Sequence, residues 1–123
     1  MFRVNEDLSI YVTRGDQFTL NLSVNADDGL YTFRVGDIVR FKVFGKKECD
    51  NVLLQKDVRV AEESTSIAIH VSGDETRFND VISKPTDYWY EVELNPETAP
   101  QTVIGYDEDG AKVFKLFPEG GDY

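Results

Sequence analysis

Apolar residues recur at every second position in several separate stretches of this chain. In QFTLNLSVN, residues 17–25, Phe18, Leu20, Leu22 and Val24 alternate with Thr19, Asn21, Ser23 and Asn25. Every second side chain of a strand faces the same way, whereas a helix would scatter those four around its circumference. IVRFKVF at 38–44 alternates too, with Val39, Phe41 and Val43 on one face and Ile38, Arg40, Lys42 and Phe44 on the other. VLLQKDVRV at 52–60 reads as a less regular strand, and TSIAIHV at 65–71 turns Ile67, Ile69 and Val71 inward. TDYWYEVELN at 86–95 sets Tyr88, Tyr90, Val92 and Leu94 against Trp89, Glu91 and Glu93. QTVIGY and AKVFKLF flank DEDG at 107–110, which predicts a β-hairpin.

Turn chemistry separates these runs. ADDGL at 26–30 offers Gly29 for positive φ, and GKKECDN at 45–51 is polar and turn-like. Only SGDETRFNDVI at 72–82 breaks the period. Ser72 and Asp74 are helix caps by type, so one short helical turn near 74–80 is expected there. Pro85 then biases Lys84 towards an extended conformation. Seven or eight short strands result, with no room for the crossover helices of a parallel α/β fold. The expected fold is all-β: one domain over 1–123, an antiparallel two-sheet sandwich of immunoglobulin-like size, with a closed barrel as second choice. Residues 1–8 and 119–123 are expected to fray.

The length of 123 residues suits one such domain. Thirteen Lys and Arg against twenty-three Asp and Glu give a formal charge of −10. That surface repels phosphate backbones and anionic headgroups, so neither nucleic acid nor membrane is an expected partner. Glu6 and Asp7 interrupt the apolar core a secretory signal would need, so synthesis in a host cytoplasm without a signal peptide is expected. The one cysteine, Cys49, excludes an intrachain disulfide framework and a cysteine-based zinc cluster.

Candidate chemistry is sparse, and no catalytic residue, metal site or cofactor is expected. His70, the only histidine, lies opposite Ile69 and Val71 on its strand, with no nucleophile at a recognisable spacing. Cys49 sits in KKECD, where Glu48 and Asp50 oppose the activating effect of Lys46 and Lys47. Asp107, Glu108 and Asp109 fall short of the six to eight oxygens calcium takes, and read as an acidic hairpin tip; Asp27 and Asp28 read the same way. Glu91 and Glu93 share a strand face, which more often means a solvated surface than a glycosidase pair. Trp89 is different. The only tryptophan falls on the face away from the core stripe, as do Ile38, Phe44 and one of Phe114 or Phe117. Either this outer face is a protein–protein contact, or the Arg34-to-Asp37 loop or the chain ends cover it.

The order TRGDQFTLNLSV, DDG turn, VGDIVRFKVF, IAIHV and YWYEVELN resembles the N-terminal domain of bacteriophage upper baseplate proteins and their prophage relatives. The closing QTVIGYDEDGAKVFKLFPEG is similar to the last hairpins of small prophage structural proteins; together the matching pieces cover most of residues 9–119. The resemblance implies an immunoglobulin-like sandwich used for virion assembly without catalysis, docked on other phage structural proteins or on itself as an oligomer. No fibre or receptor-binding segment follows the domain, which implies an accessory or adaptor role in the baseplate or tail. The competing expectation is a small module that binds cell-wall polysaccharide by stacking sugars on Trp89 and nearby tyrosines.

Overall fold

A computed structural model of the chain describes residues 1–46 and 50–120. It is mostly strand: β1 (Phe2–Val4), β2 (Ile10–Thr13), β3 (Phe18–Leu22), β4 (Asn25–Ala26), β5 (Gly29–Leu30), β6 (Ile38–Lys46), β7 (Asp50–Arg59), β8 (Ile67–Val71), β9 (Thr86–Leu94), β10 (Gln101–Ile104) and β11 (Lys112–Phe117). The one helix is a single turn, α1 (Gly73–Thr76). Its N-cap is Ser72, whose hydroxyl accepts from the Glu75 N–H while the Glu75 carboxylate accepts from the Ser72 N–H. This reciprocal box satisfies two amides that so short a helix would otherwise leave to water.

The strands form a seven-stranded sheet in the order β1-β2-β11-β9-β6-β7, with β10 also on β9, and two two-stranded pieces, β3-β8 and β4-β5. The large sheet is mixed rather than purely antiparallel, because β2 and β11 run parallel. A parallel pair needs a long connection, and here the whole of the chain between them serves as one.

The hairpin expected around 107–110 does not form. β10 and β11 both pair antiparallel with β9, Gln101 opposite Leu94 at one end and Leu116 opposite Thr86 at the other. They lie one after the other along the same edge, a single line of strand broken by residues 105–111. Inside the break, Asp107 and Gly110 exchange backbone hydrogen bonds in a tight turn, with Gly110 at φ +96°. The sequence pattern is the same in either arrangement, since each half only has to turn alternate apolar residues to the core.

The β3-β8 pair lies over the large sheet and closes the core. Phe18, Leu20, Leu22, Ile69 and Val71 from this layer meet Val39, Phe41, Val43, Tyr90, Val92, Leu94, Phe114 and Leu116 from the sheet in one buried cluster. Ile67 is half-buried against it. Aromatic rings knit the layers: Phe18 meets Phe41 edge-on at 6.3 Å between centroids, and Phe41 lies 5.7 Å from Tyr90. The period of two thus produces the burial it predicts.

Two regions depart from expectation. The start of the chain is not frayed: Phe2 to Val4 pairs with Val12 to Ile10, and Phe2 stacks on Phe18 at 4.8 Å. At the other end Glu119 is held by Arg77, while residues 121–123 lie outside the described residues. The irregularity of 52–60 has a cause as well. The β6-β7 register shifts between Val43 opposite Leu54 and Phe44 opposite Val52, leaving Leu53 as an extra residue on β7. Such a bulge breaks the alternation that a sequence pattern relies on.

Candidate interaction surface

The outer face of the large sheet carries the residues that parity singled out. Trp89 points away from the core and is half-buried, flanked across the strands by Phe44 on β6 and Val113 on β11. Phe44 is not exposed as expected: only 2% of its surface meets solvent. It stands on the outer face beside Trp89, with the Lys42 ammonium 5.9 Å from its ring centroid. A cation over an aromatic face shields the ring while keeping its own charge in water. Phe117 is the outward residue of its pair, half-buried, whereas Phe114 is fully buried in the core.

Ile38 is half-buried at the far end of β6 and does not join Trp89 and Phe44. Six residues of strand separate Ile38 from Phe44, about 20 Å at the usual rise. The Arg34-to-Asp37 loop that could have covered Trp89 lies at the Ile38 end instead. There the Asp37 carboxylate accepts from the Tyr31 hydroxyl at 2.7 Å, the Arg34 N–H at 2.9 Å and Asn95 at 3.2 Å. Burial raises the Asp37 pKa, but those three donors outweigh it and leave the carboxyl below its ordinary value. A shallow cleft of about 90 Å³ opens beside this knot, lined by Gly36, Ile38, Arg40, Asn95, Pro96 and Glu97 among others.

Between the two ends the outer face is laced with charge. Arg40 donates to both carboxylate oxygens of Asp57, at 2.8 and 2.9 Å, and to Glu97 at 3.1 Å. Lys42 stands 2.9 Å from Glu93 and 3.9 Å from Glu91. Burial and the neighbouring Glu93 raise the Glu91 pKa, against the pull of Lys42. Glu91 and Glu93 therefore form a triad with a lysine between them, on a sheet face and not across a groove.

The remaining candidates are scattered. His70 is exposed, its Nδ1 3.1 Å from the Thr19 hydroxyl. Asp27 and Asp28 are exposed at the tip of the β4-β5 hairpin, and Cys49 lies outside the described residues. Asp107 is engaged by a residue that sequence reasoning missed: Lys112, buried on β11, whose ammonium lies 2.7 Å from the Asp107 carboxylate. That hydrogen bond holds the Asp107 carboxyl below its ordinary range. The signal available was parity, since Lys112 shares the inward face of Phe114 and Leu116. Among the described residues no group of three or more His, Cys, Asp or Glu is placed to hold a metal ion, and no helix is long and apolar enough to cross a membrane.

Comparison with known proteins places no family on this chain: no family model, curated protein or solved structure matches it.

Proposed function

We propose that this protein is a non-enzymatic structural component of a bacteriophage or prophage particle, in the baseplate, the tail or an accessory position. In this reading it is an immunoglobulin-like sandwich that works by docking to neighbouring particle proteins or to further copies of itself. The order of its segments, which resembles the N-terminal domain of upper baseplate proteins, supplies the phage context. The observation that carries the assembly role is the open sheet. Among the described residues its two ends, β1 and the ten-residue β7, each have a strand on one side only, and Trp89 stands half-exposed on the face between them. Strand edges pair with further strands through their backbones, and a half-covered tryptophan anchors contacts well.

The test is to purify particles by density gradient from induced lysates of the source strain and analyse them by mass spectrometry. The reading expects this chain at a fixed ratio to the tail proteins. Its absence from intact particles, or retention of the purified chain on a cell-wall glycan panel without particle association, would overturn it.

A further inference from the structure

The large sheet ends on β7, and the backbone of that strand has a defined free side. Beyond its end, the Val60 N–H donates to the Asp37 carbonyl at 2.8 Å, and the Val60 carbonyl accepts from Gly36 at 3.0 Å. Successive strand residues aim their backbone groups to opposite sides, so Val58 and Lys56 turn theirs towards β6 as Val60 does. Gln55, Asp57 and Arg59 turn theirs away, and among the described residues no strand pairs with that side. The bulge at Leu53 spoils the first half of the strand for regular pairing, which leaves residues 55–59.

We propose that β7 pairs antiparallel with β7 of a second copy of this chain, across a twofold axis through Val58, so that two seven-stranded sheets become one. This deepens the assembly reading and rests on it, by naming one partner and the surface it uses.

Charge selects both the partner and the register. Backbone groups match only if Gln55, Asp57 and Arg59 face residues of the same set. An axis at Asp57 sets two aspartates opposite each other, an axis at Lys56 two lysines, and an axis at Arg59 two arginines. Like charges directly opposite are destabilising. With the axis at Val58, Asp57 of each chain faces Arg59 of the other, and Val58 faces its own copy. Arg59 is exposed and makes no ion pair among the described residues. Asp57, although held by Arg40, keeps 41% of its side chain open to a second cation. Lys56 is held by Glu75, but Arg59 brings a cation with no ion pair among the described residues to this contact, on a chain of charge −10.

The experiment is sedimentation velocity on the purified full chain over a concentration series, with three variants. The wild type is expected to shift from monomer towards dimer as concentration rises. Arg59→Asp and Asp57→Lys, each alone, are expected to weaken the dimer at least tenfold, because each sets like charges opposite. Mixed together they are expected to form a heterodimer, since both cross-strand pairs become opposite in sign again. Melting curves confirm that each variant is folded. Val58→Cys in a Cys49→Ser background carries the test if Asp57→Lys, which loses its Arg40 contact, fails to fold. Directly opposed residues on the twofold axis lie within disulfide reach, so mild oxidation should link the chains. A wild type that stays monomeric at every concentration, single variants that dimerise as well as the wild type, or no link through Val58→Cys would each overturn the proposal. A monomer still found in purified particles would refute this contact alone, whereas a dimer absent from particles would refute the phage assignment and leave the contact standing.

Discussion

Truncating Phe41 to alanine tests the two-layer core most directly. Phe41 is fully buried at the centre of the large sheet, and its ring meets Phe18 of the covering layer, Tyr90 of β9 and Phe114 of β11 at 6.3, 5.7 and 6.3 Å. Removing a buried phenylalanine costs about 3–5 kcal/mol, with the upper end expected where neighbours cannot collapse into the space. Here the neighbours come from three strands held in register, and three aromatic contacts are lost at once, so we place the loss near 4 kcal/mol. A domain of this length has roughly 6–18 kcal/mol in hand, so the variant should still fold at room temperature. Urea unfolding followed by Trp89 fluorescence should show a lower midpoint and an unchanged slope. The melting temperature should fall by about 12–20 °C. A loss below about 1 kcal/mol would mean that Phe41 does not join two packed layers, and the core described above would be wrong.

Three further outcomes follow from particular contacts. Tyr90→Phe removes the hydroxyl that donates to the Leu8 carbonyl, a tie between β9 and the turn before β2, where Leu8 sits at φ +69°. It should cost about 1 kcal/mol and hasten proteolysis at residues 5–9; an unchanged melting temperature would show that the tie contributes nothing. The Glu91 carboxyl is raised above its ordinary 4.5 in the fold, so its ionisation weakens folding as the pH climbs past that value. Glu91→Gln should therefore melt higher than wild type at neutral pH, with the gap closing below about pH 4.5, and a gap that widens in acid would reverse the sign. Trp89→Ser should leave the melting temperature within about 2 °C of wild type, since the side chain lies outside the core cluster, yet reduce incorporation into particles; an unfolded variant would make Trp89 a core residue.

Burial was legible in the sequence wherever a strand kept its alternation. Phe18, Leu20 and Leu22, and the stripe from Tyr88 to Leu94, lie in the core as their parity predicts. Pairing was not legible, because alternation says which way a side chain points and nothing about which strand lies alongside. That is why β10 and β11 read as a hairpin, although they follow one another along β9, and why the parallel β2-β11 contact went unforeseen. Exposure was only half legible. Phe44 has the outward parity of Trp89, yet it is buried, with Trp89 directly across the strand pair and the Lys42 ammonium 5.9 Å from its ring centroid. Parity assigns a face, and the neighbouring side chains decide how much of that face water can touch. Lys112 makes the same point in reverse: an inward parity that charge alone would have argued against, made tolerable by the carboxylate of Asp107.

The place of β11 in the sheet has a consequence for how the chain acquires its shape. β11, the last of these strands in chain order, is inserted between β2, near the start of that order, and β9. Until Lys112 to Phe117 emerges, Ile10 and Val12 have no partner on that side and β9 has an open flank from Thr86 to Tyr90. Contacts so distant along the chain must be formed against a large loss of chain entropy, which slows their formation. The sheet therefore closes late, only once β11 has been made. Through that interval the nascent protein carries a tyrosine- and tryptophan-rich strand with one flank open, to the wrong partner as readily as to the right one.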